Sequence, residues 1–158
     1  MTDYVGRIEA RIDALEMVRA GVRLPYVRAT TGLPARFLRE LWWDVHGKKP
    51  SSGRAHCDPL AGLKTRKQRQ EAAAFANLYF AGCENQKIQS IEARRFLRAW
   101  VAFREMLPDM AMDSTLAWAV TRNICGKLTW REKCGRCGVS FIRNSEQPEW
   151  RCPFCVGH

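Results

Sequence analysis

Apolar residues recur at steps of three and four from the start of the chain. Val5, Ile8, Ile12, Leu15, Val18 and Val22 fall on one face of a helix over Tyr4 to Val22. Arg7, Glu9, Arg11, Asp13, Glu16 and Arg19 fill the opposite face, and Gly21 weakens the last turn. Such a stripe must be covered, either by the chain's own core or by a partner subunit. From Leu24 to His46 two shorter helical patterns flank Thr30-Thr31-Gly32-Leu33-Pro34. Gly32 adopts positive φ at little cost and so suits a tight turn. Pro34 suits the first turn of a new helix, where no amide hydrogen is needed. Phe37, Leu38, Leu41, Trp42 and Val45 make the next stripe, with Arg36, Arg39, Glu40 and Trp43 mostly off it. This reads as a helix-turn-helix at about 24–46, its second helix a candidate reader of a DNA major groove.

Residues 47–63 break the pattern with Gly47, Lys48, Lys49, Pro50, Ser51, Ser52 and Gly53, a loop composition. Lys48, Lys49 and Arg54 are placed to touch phosphates, or to form a solvated linker. Helical periodicity resumes over 64–125. Ala72, Phe75, Ala76, Leu78 and Tyr79 mark one helix over Gln68 to Gly82, and Ile88, Ile91, Phe96, Leu97, Trp100, Val101 and Phe103 mark another over Ile88 to Met106. Pro108 follows as a stop, and Asp113 or Ser114 can cap a third helix carrying Leu116, Trp118, Val120 and Ile124. The aromatic residues here read as core. No internal repeat is apparent. The expected fold is mainly α: a helical domain over 1–125 containing the helix-turn-helix, and a zinc-binding ribbon over 126–158.

The ribbon rests on cysteine spacing. Cys134 and Cys137 are separated by two residues, as are Cys152 and Cys155, with fourteen residues between the pairs. Each gap lets two thiolates reach one ion from a tight turn, so that four sulfurs surround a zinc ion at about 2.3 Å. Gly135 and Gly138 assist the first turn and Pro153 shapes the second. Val139 to Arg143 reads as a strand and Asn144 to Pro148 as a turn. With all four positions filled by protein, one structural Zn²⁺ per chain is expected, without an open position for activated water. Redox Cys-x-x-Cys pairs usually sit alone at a helix start within a βαβ unit, a context missing here. The metal is expected to hold the last ~30 residues together, because so short a ribbon has little core. Cys57, Cys83 and Cys125 stand alone and read as buried or free thiols.

The formal charge is +10, and four zinc-bound thiolates would lower it by only two. A basic surface favours polyanions, nucleic acid first among them. With 46% hydrophobic residues the chain can bury a core. No apolar run approaches the ~20 residues of a membrane span, and the N-terminal stretch lacks an apolar signal region. A cytoplasmic protein without membrane association is expected. An enzyme is not: only His46, His56 and His158 are available, and the adjacent His56, Cys57 and Asp58 do not by themselves give a base the geometry to activate a thiol. No phosphate-cradling glycine loop is present. DNA-binding candidates are Arg36, Arg39, Trp43, Lys48, Lys49 and Arg54, with no catalytic residue among them.

The stretches RLPYVRATTGLPARFLRELWWDVHGKKPSSG (23–53) and LAWAVTRNICGKLTWREKCGRCGVSFI (116–142), completed by Cys152 and Cys155, resemble the FlhC family, the C subunit of the bacterial flagellar master regulator. The resemblance spans nearly the whole chain. It implies a mainly helical, zinc-binding subunit acting in a hetero-oligomer with a small helical FlhD-like partner. Such a complex binds double-stranded promoter DNA and recruits RNA polymerase to flagellar operons. Similar subunits on mobile elements activate transfer genes instead. One departure stands out: four residues before Gly32 lies Arg28, where common helix-turn-helix sequences favour a small residue. A long side chain there is expected to hold the two helices apart. An RNA-binding zinc-ribbon protein is the alternative that explains charge and cysteines equally well, though it leaves the Gly-Leu-Pro turn unexplained.

Overall fold

A computed structural model describes residues 3–52, 60–83, 88–146 and 151–155. Its elements are α1 (Tyr4–Arg19), α2 (Leu24–Thr31), α3 (Ala35–His46), a single 3-10 turn at Leu60–Gly62, α4 (Arg66–Tyr79), α5 (Ala93–Met106), α6 (Ser114–Cys125), β1 (Trp130–Lys133) and β2 (Ser140–Arg143). Local chemistry sets most boundaries. The Asp3 carboxylate accepts from the Gly6 amide and starts α1, and the Asp113 carboxylate accepts from the Leu116 amide and starts α6. Thr65 and Gln68 form a reciprocal capping box at α4. Gly32 ends α2 at φ 71° and Gly47 ends α3 at φ 63°, left-handed conformations that glycine adopts without strain.

The core forms around Phe75 of α4. The rings of Phe96, Trp100 and Phe103 from α5 meet it edge-on at 5.5, 6.1 and 5.7 Å. Helix α6 is buried along most of its length and joins this cluster to α1–α3. Trp118 stacks on Tyr26 of α2 at 4.2 Å, and its indole N–H donates to the Thr30 hydroxyl at 3.0 Å. The aromatic residues of 64–125 are therefore core, as their spacing implied. Glu71 is 4% exposed, yet its carboxylate is satisfied by the amides of Ala111 and Met112 at 3.1 and 3.0 Å, which pins the α5–α6 connection.

Two elements differ from the sequence reading. The second helix of 64–125 begins at Ala93, and Ile88 and Ile91 reach the core from a non-helical segment. Strand β1 lies before the first cysteine pair and pairs antiparallel with β2, Trp130 opposite Arg143 and Lys133 opposite Ser140. The apolar stripe of α1 is also divided. Ala14, Met17 and Val18 are buried, whereas Val5, Ile8 and Ile12 are 66%, 42% and 52% exposed. Among the described residues no helix is long and apolar enough to cross a membrane.

Candidate metal centre

The β1–β2 hairpin presents the first cysteine pair. Its connection folds back at once: the Cys134 amide donates to the Val139 carbonyl at 3.0 Å, and the Gly138 amide donates to the Cys134 carbonyl at 2.9 Å. Gly138 closes the turn at φ 75°, a position where any side chain would be strained. The second pair, Cys152 and Cys155, brackets Pro153 and Phe154 and is brought over the first by helix α4. The Arg66 guanidinium donates to the carbonyls of Pro153 and Cys155 at 2.7 and 2.9 Å, and the Gln70 amide also donates to the Pro153 carbonyl at 2.7 Å. On the other side of the hairpin, the Asn77 side-chain amide donates to the Ser140 carbonyl at 2.8 Å, and Arg131 donates back to Asn77 at 3.1 Å. Phe141 and Ile142, each 5% exposed, seal β2 into the common core.

The four Sγ atoms lie within 4.8 Å of one another. Cys134 and Cys155 approach to 3.7 Å, and Cys137 and Cys152 to 3.6 Å, all four thiols being free of disulfides. A tetrahedron with metal–sulfur bonds near 2.3 Å sets its sulfurs about 3.8 Å apart, so the set fits a zinc-sized ion. The thiols are not equivalent. Amide hydrogen bonds from Cys137 and Arg136 draw the Cys134 thiol down to about 6, favouring its thiolate. Burial, reinforced by the neighbouring thiols, pushes Cys155 up to about 12, and burial raises Cys152 as well. Four sulfurs this close cannot all carry negative charge unless a cation shares their space. The cluster can therefore hold a metal ion, with every coordination position supplied by the chain.

The residues read as DNA contacts occupy a different surface. Arg36, Arg39 and Trp43 lie along the exposed side of α3, with Trp43 54% exposed. The Arg36 guanidinium donates to Glu40 at 3.0 Å, the i,i+4 pairing open to it on a solvated face. Lys48 and Lys49 are exposed just after the Gly47 cap. Arg54, with His56 and Cys57, falls outside the described residues. Cys83 and Cys125 are buried and free. The residues that sequence reasoning missed are Arg66 and Gln70. Thr65-x-x-Gln68 is a legible capping signal and would have placed them on the first turns of a helix. Nothing local reveals that they grip a cysteine loop more than eighty residues away.

A mainly helical chain carrying a four-cysteine ribbon able to hold a metal ion is the class that fold and site define. The model of a family described as flagellar transcriptional activator (FlhC) matches residues 6–157. The chain is 27% identical over 151 residues to the flagellar transcriptional regulator FlhC of Sodalis glossinidius, which covers 90% of this chain and 74% of that relative. It is 25% identical to the regulator of the same description from Serratia marcescens, over 90% of this chain and 75% of that one. The protein from Yersinia enterocolitica is 24% identical, over 90% and 76%. The chain belongs to the FlhC family.

Proposed function

We propose that the chain is the DNA-binding subunit of a bacterial transcription activator complex that controls flagellar operons together with an FlhD-like partner. The observation that carries this reading is the family match across residues 6–157 with all four cysteines converging. One Zn²⁺ held by Cys134, Cys137, Cys152 and Cys155 would be structural, fixing the ribbon of residues 126–158 against the helices of residues 1–125. Helices α2 and α3, joined through Gly32-Leu33-Pro34, would dock as a helix-turn-helix, α3 entering the major groove. Arg36 or Arg39 would pair with a guanine edge, Trp43 would flank them, and Lys48, Lys49 and Arg54 would neutralise phosphates. The exposed Tyr4, Val5, Ile8 and Ile12 of α1 offer the partner an apolar face left uncovered among the described residues. The complex would work in the cytoplasm by bringing RNA polymerase to the promoter.

The test is fluorescence-anisotropy binding to a flagellar promoter duplex from the source genome, with scrambled duplex as competitor, with and without the FlhD-like protein, at several salt concentrations. With about six phosphates contacted, log affinity should fall against log salt with a slope of roughly −5. Preference for the promoter that sharpens with the partner supports the reading. Equal, steeply salt-dependent binding to both duplexes under all conditions refutes it. Metal analysis of the purified chain should return one zinc, lost together with ribbon order when a cysteine is replaced.

A further inference from the structure

A cleft of about 400 Å³ opens between α2 and α3, with Arg28 on one wall and Arg39 on the other. Arg23, which has a partner of its own, also lines the cleft, and Leu24, Leu38 and Trp42 supply apolar surface. Arg28 and Arg39 are exposed and form no ion pair among the described residues. No carboxylate is found among the described residues lining the cleft. The first turns of both helices likewise lack an acidic residue.

A guanidinium offers five N–H donors and no acceptor, so this lining calls for a ligand that brings acceptors and negative charge. Paired arginines match the planar, multi-oxygen face of a phosphate, and adjoining apolar surface strengthens the attraction by excluding water. We propose that the α2–α3 cleft is a phosphate site held by Arg28 and Arg39, occupied by a DNA backbone phosphate when α3 lies in the groove. This rests on the DNA-binding reading given above. When the second helix of such a unit lies in the major groove, the first crosses the backbone, which brings a phosphate between them. Arg39 then positions the duplex, leaving Arg36 to face the bases. A free phosphate monoester could use the same donors, and the experiment separates the two sources.

The test uses the full chain with its FlhD-like partner. Wild type, Arg28→Ala, Arg39→Ala and a control, Arg104→Ala on α5, are titrated with promoter and scrambled duplex across a salt series. The ¹H–¹⁵N resonance of the Trp42 indole, whose N–H is buried without an acceptor, is followed in the same samples. It is followed again on addition of phenyl phosphate. Arg28→Ala and Arg39→Ala should each weaken both duplexes alike by about five- to tenfold and make the salt slope shallower by about 0.9, with promoter preference kept and Arg104→Ala unchanged. The Trp42 resonance should move on duplex binding in wild type and much less in the two variants. If wild type prefers the promoter, yet both variants match it and Trp42 stays still with duplex and phenyl phosphate, the cleft proposal is overturned and the DNA reading survives. If no duplex binds but phenyl phosphate shifts Trp42 in an Arg28-dependent manner, the DNA reading fails and the phosphate site stands with a free ligand. If neither probe has any effect, both fail.

Discussion

Arg66→Ala should loosen the metal centre without touching a sulfur. Arg66 spans two carbonyls of the second cysteine loop, Pro153 at 2.7 Å and Cys155 at 2.9 Å. Charge-assisted hydrogen bonds contribute about 1.5–3 kcal/mol when shielded. Arg66 sits on an exposed turn of α4, so solvent competes for both carbonyls, and about 1 kcal/mol for the first bond with about half that for the second is the appropriate scale. Gln70 keeps its own bond to Pro153 at 2.7 Å, so the loop stays near its place. A loss of about 1.5 kcal/mol in pre-ordering corresponds to roughly a tenfold weaker zinc affinity. Competition with a chromophoric chelator measures this directly. Far-ultraviolet circular dichroism, read beside it, should show the helices intact, because the core around Phe75 is far from depending on this contact. Arg66→Lys should recover only part of the loss, since a point ammonium does not fork to two carbonyls. Affinity within twofold of wild type in Arg66→Ala would show that the loop orders itself around the metal unaided, and the reasoning would fail.

Three further outcomes are expected. Zinc binding should release protons and tighten as pH rises. At pH 7 Cys134, near 6, is already a thiolate, whereas Cys152 and Cys155 lie above their ordinary value and still hold protons that the metal must displace. At least two protons released means roughly a hundredfold gain in affinity per pH unit, and calorimetry in buffers of different ionisation heat that finds fewer than two would contradict it. Replacing Ile8 and Ile12 together by glutamate should abolish co-purification with the FlhD-like protein, yet leave the melting temperature of the isolated chain within a few degrees. A large drop in that temperature would mean the face is already used within the chain. Gly32→Ala meets no atom within 4 Å at its new Cβ, so its cost is the left-handed backbone alone. That cost is about 1 kcal/mol, or a melting point lower by about 2–4 °C. An unchanged melting point would argue against positive φ at this turn in solution.

The parts of the fold that were legible in the sequence are those decided by one or two residues. Gly32 and Pro34 mark the α2–α3 turn, Pro108 follows the end of α5, and Asp113 caps α6, because each acts on its immediate backbone. The cysteine pairs were legible for the same reason, since a two-residue gap is a property of a single turn. Strand β1 was not. Trp-Arg-Glu-Lys has no apolar alternation, and its residues are half-buried or exposed. What makes it a strand is the ladder to β2, ten or so residues away. Ile88 and Ile91 misled in the opposite direction. Their spacing continues the helical rhythm of α5, but both serve the core from outside the helix, and burial alone does not require a helix.

The periodicity of α1 shows the deeper limit. A repeat of three and four states which residues share a face, not what lies against that face. Along α1 the register holds from Val5 to Val18, yet its C-terminal half enters the core while Val5, Ile8 and Ile12 remain in solvent. Which part of the stripe the chain's own core covers is decided by the whole packing. The same holds for the metal centre. Four cysteines name the candidate ligands, but the second loop is set by Arg66 and Gln70 of α4, and the hairpin is fixed to that helix through Asn77 and Arg131. These are ordinary surface residue types whose role exists only because α4 passes beneath the ribbon. One helix thus faces the aromatic core with Phe75 and the cysteine ribbon with Arg66, Gln70 and Asn77. Substitutions at those three polar positions should therefore report on the metal centre, whereas substitutions at Phe75 should report on the stability of the whole chain.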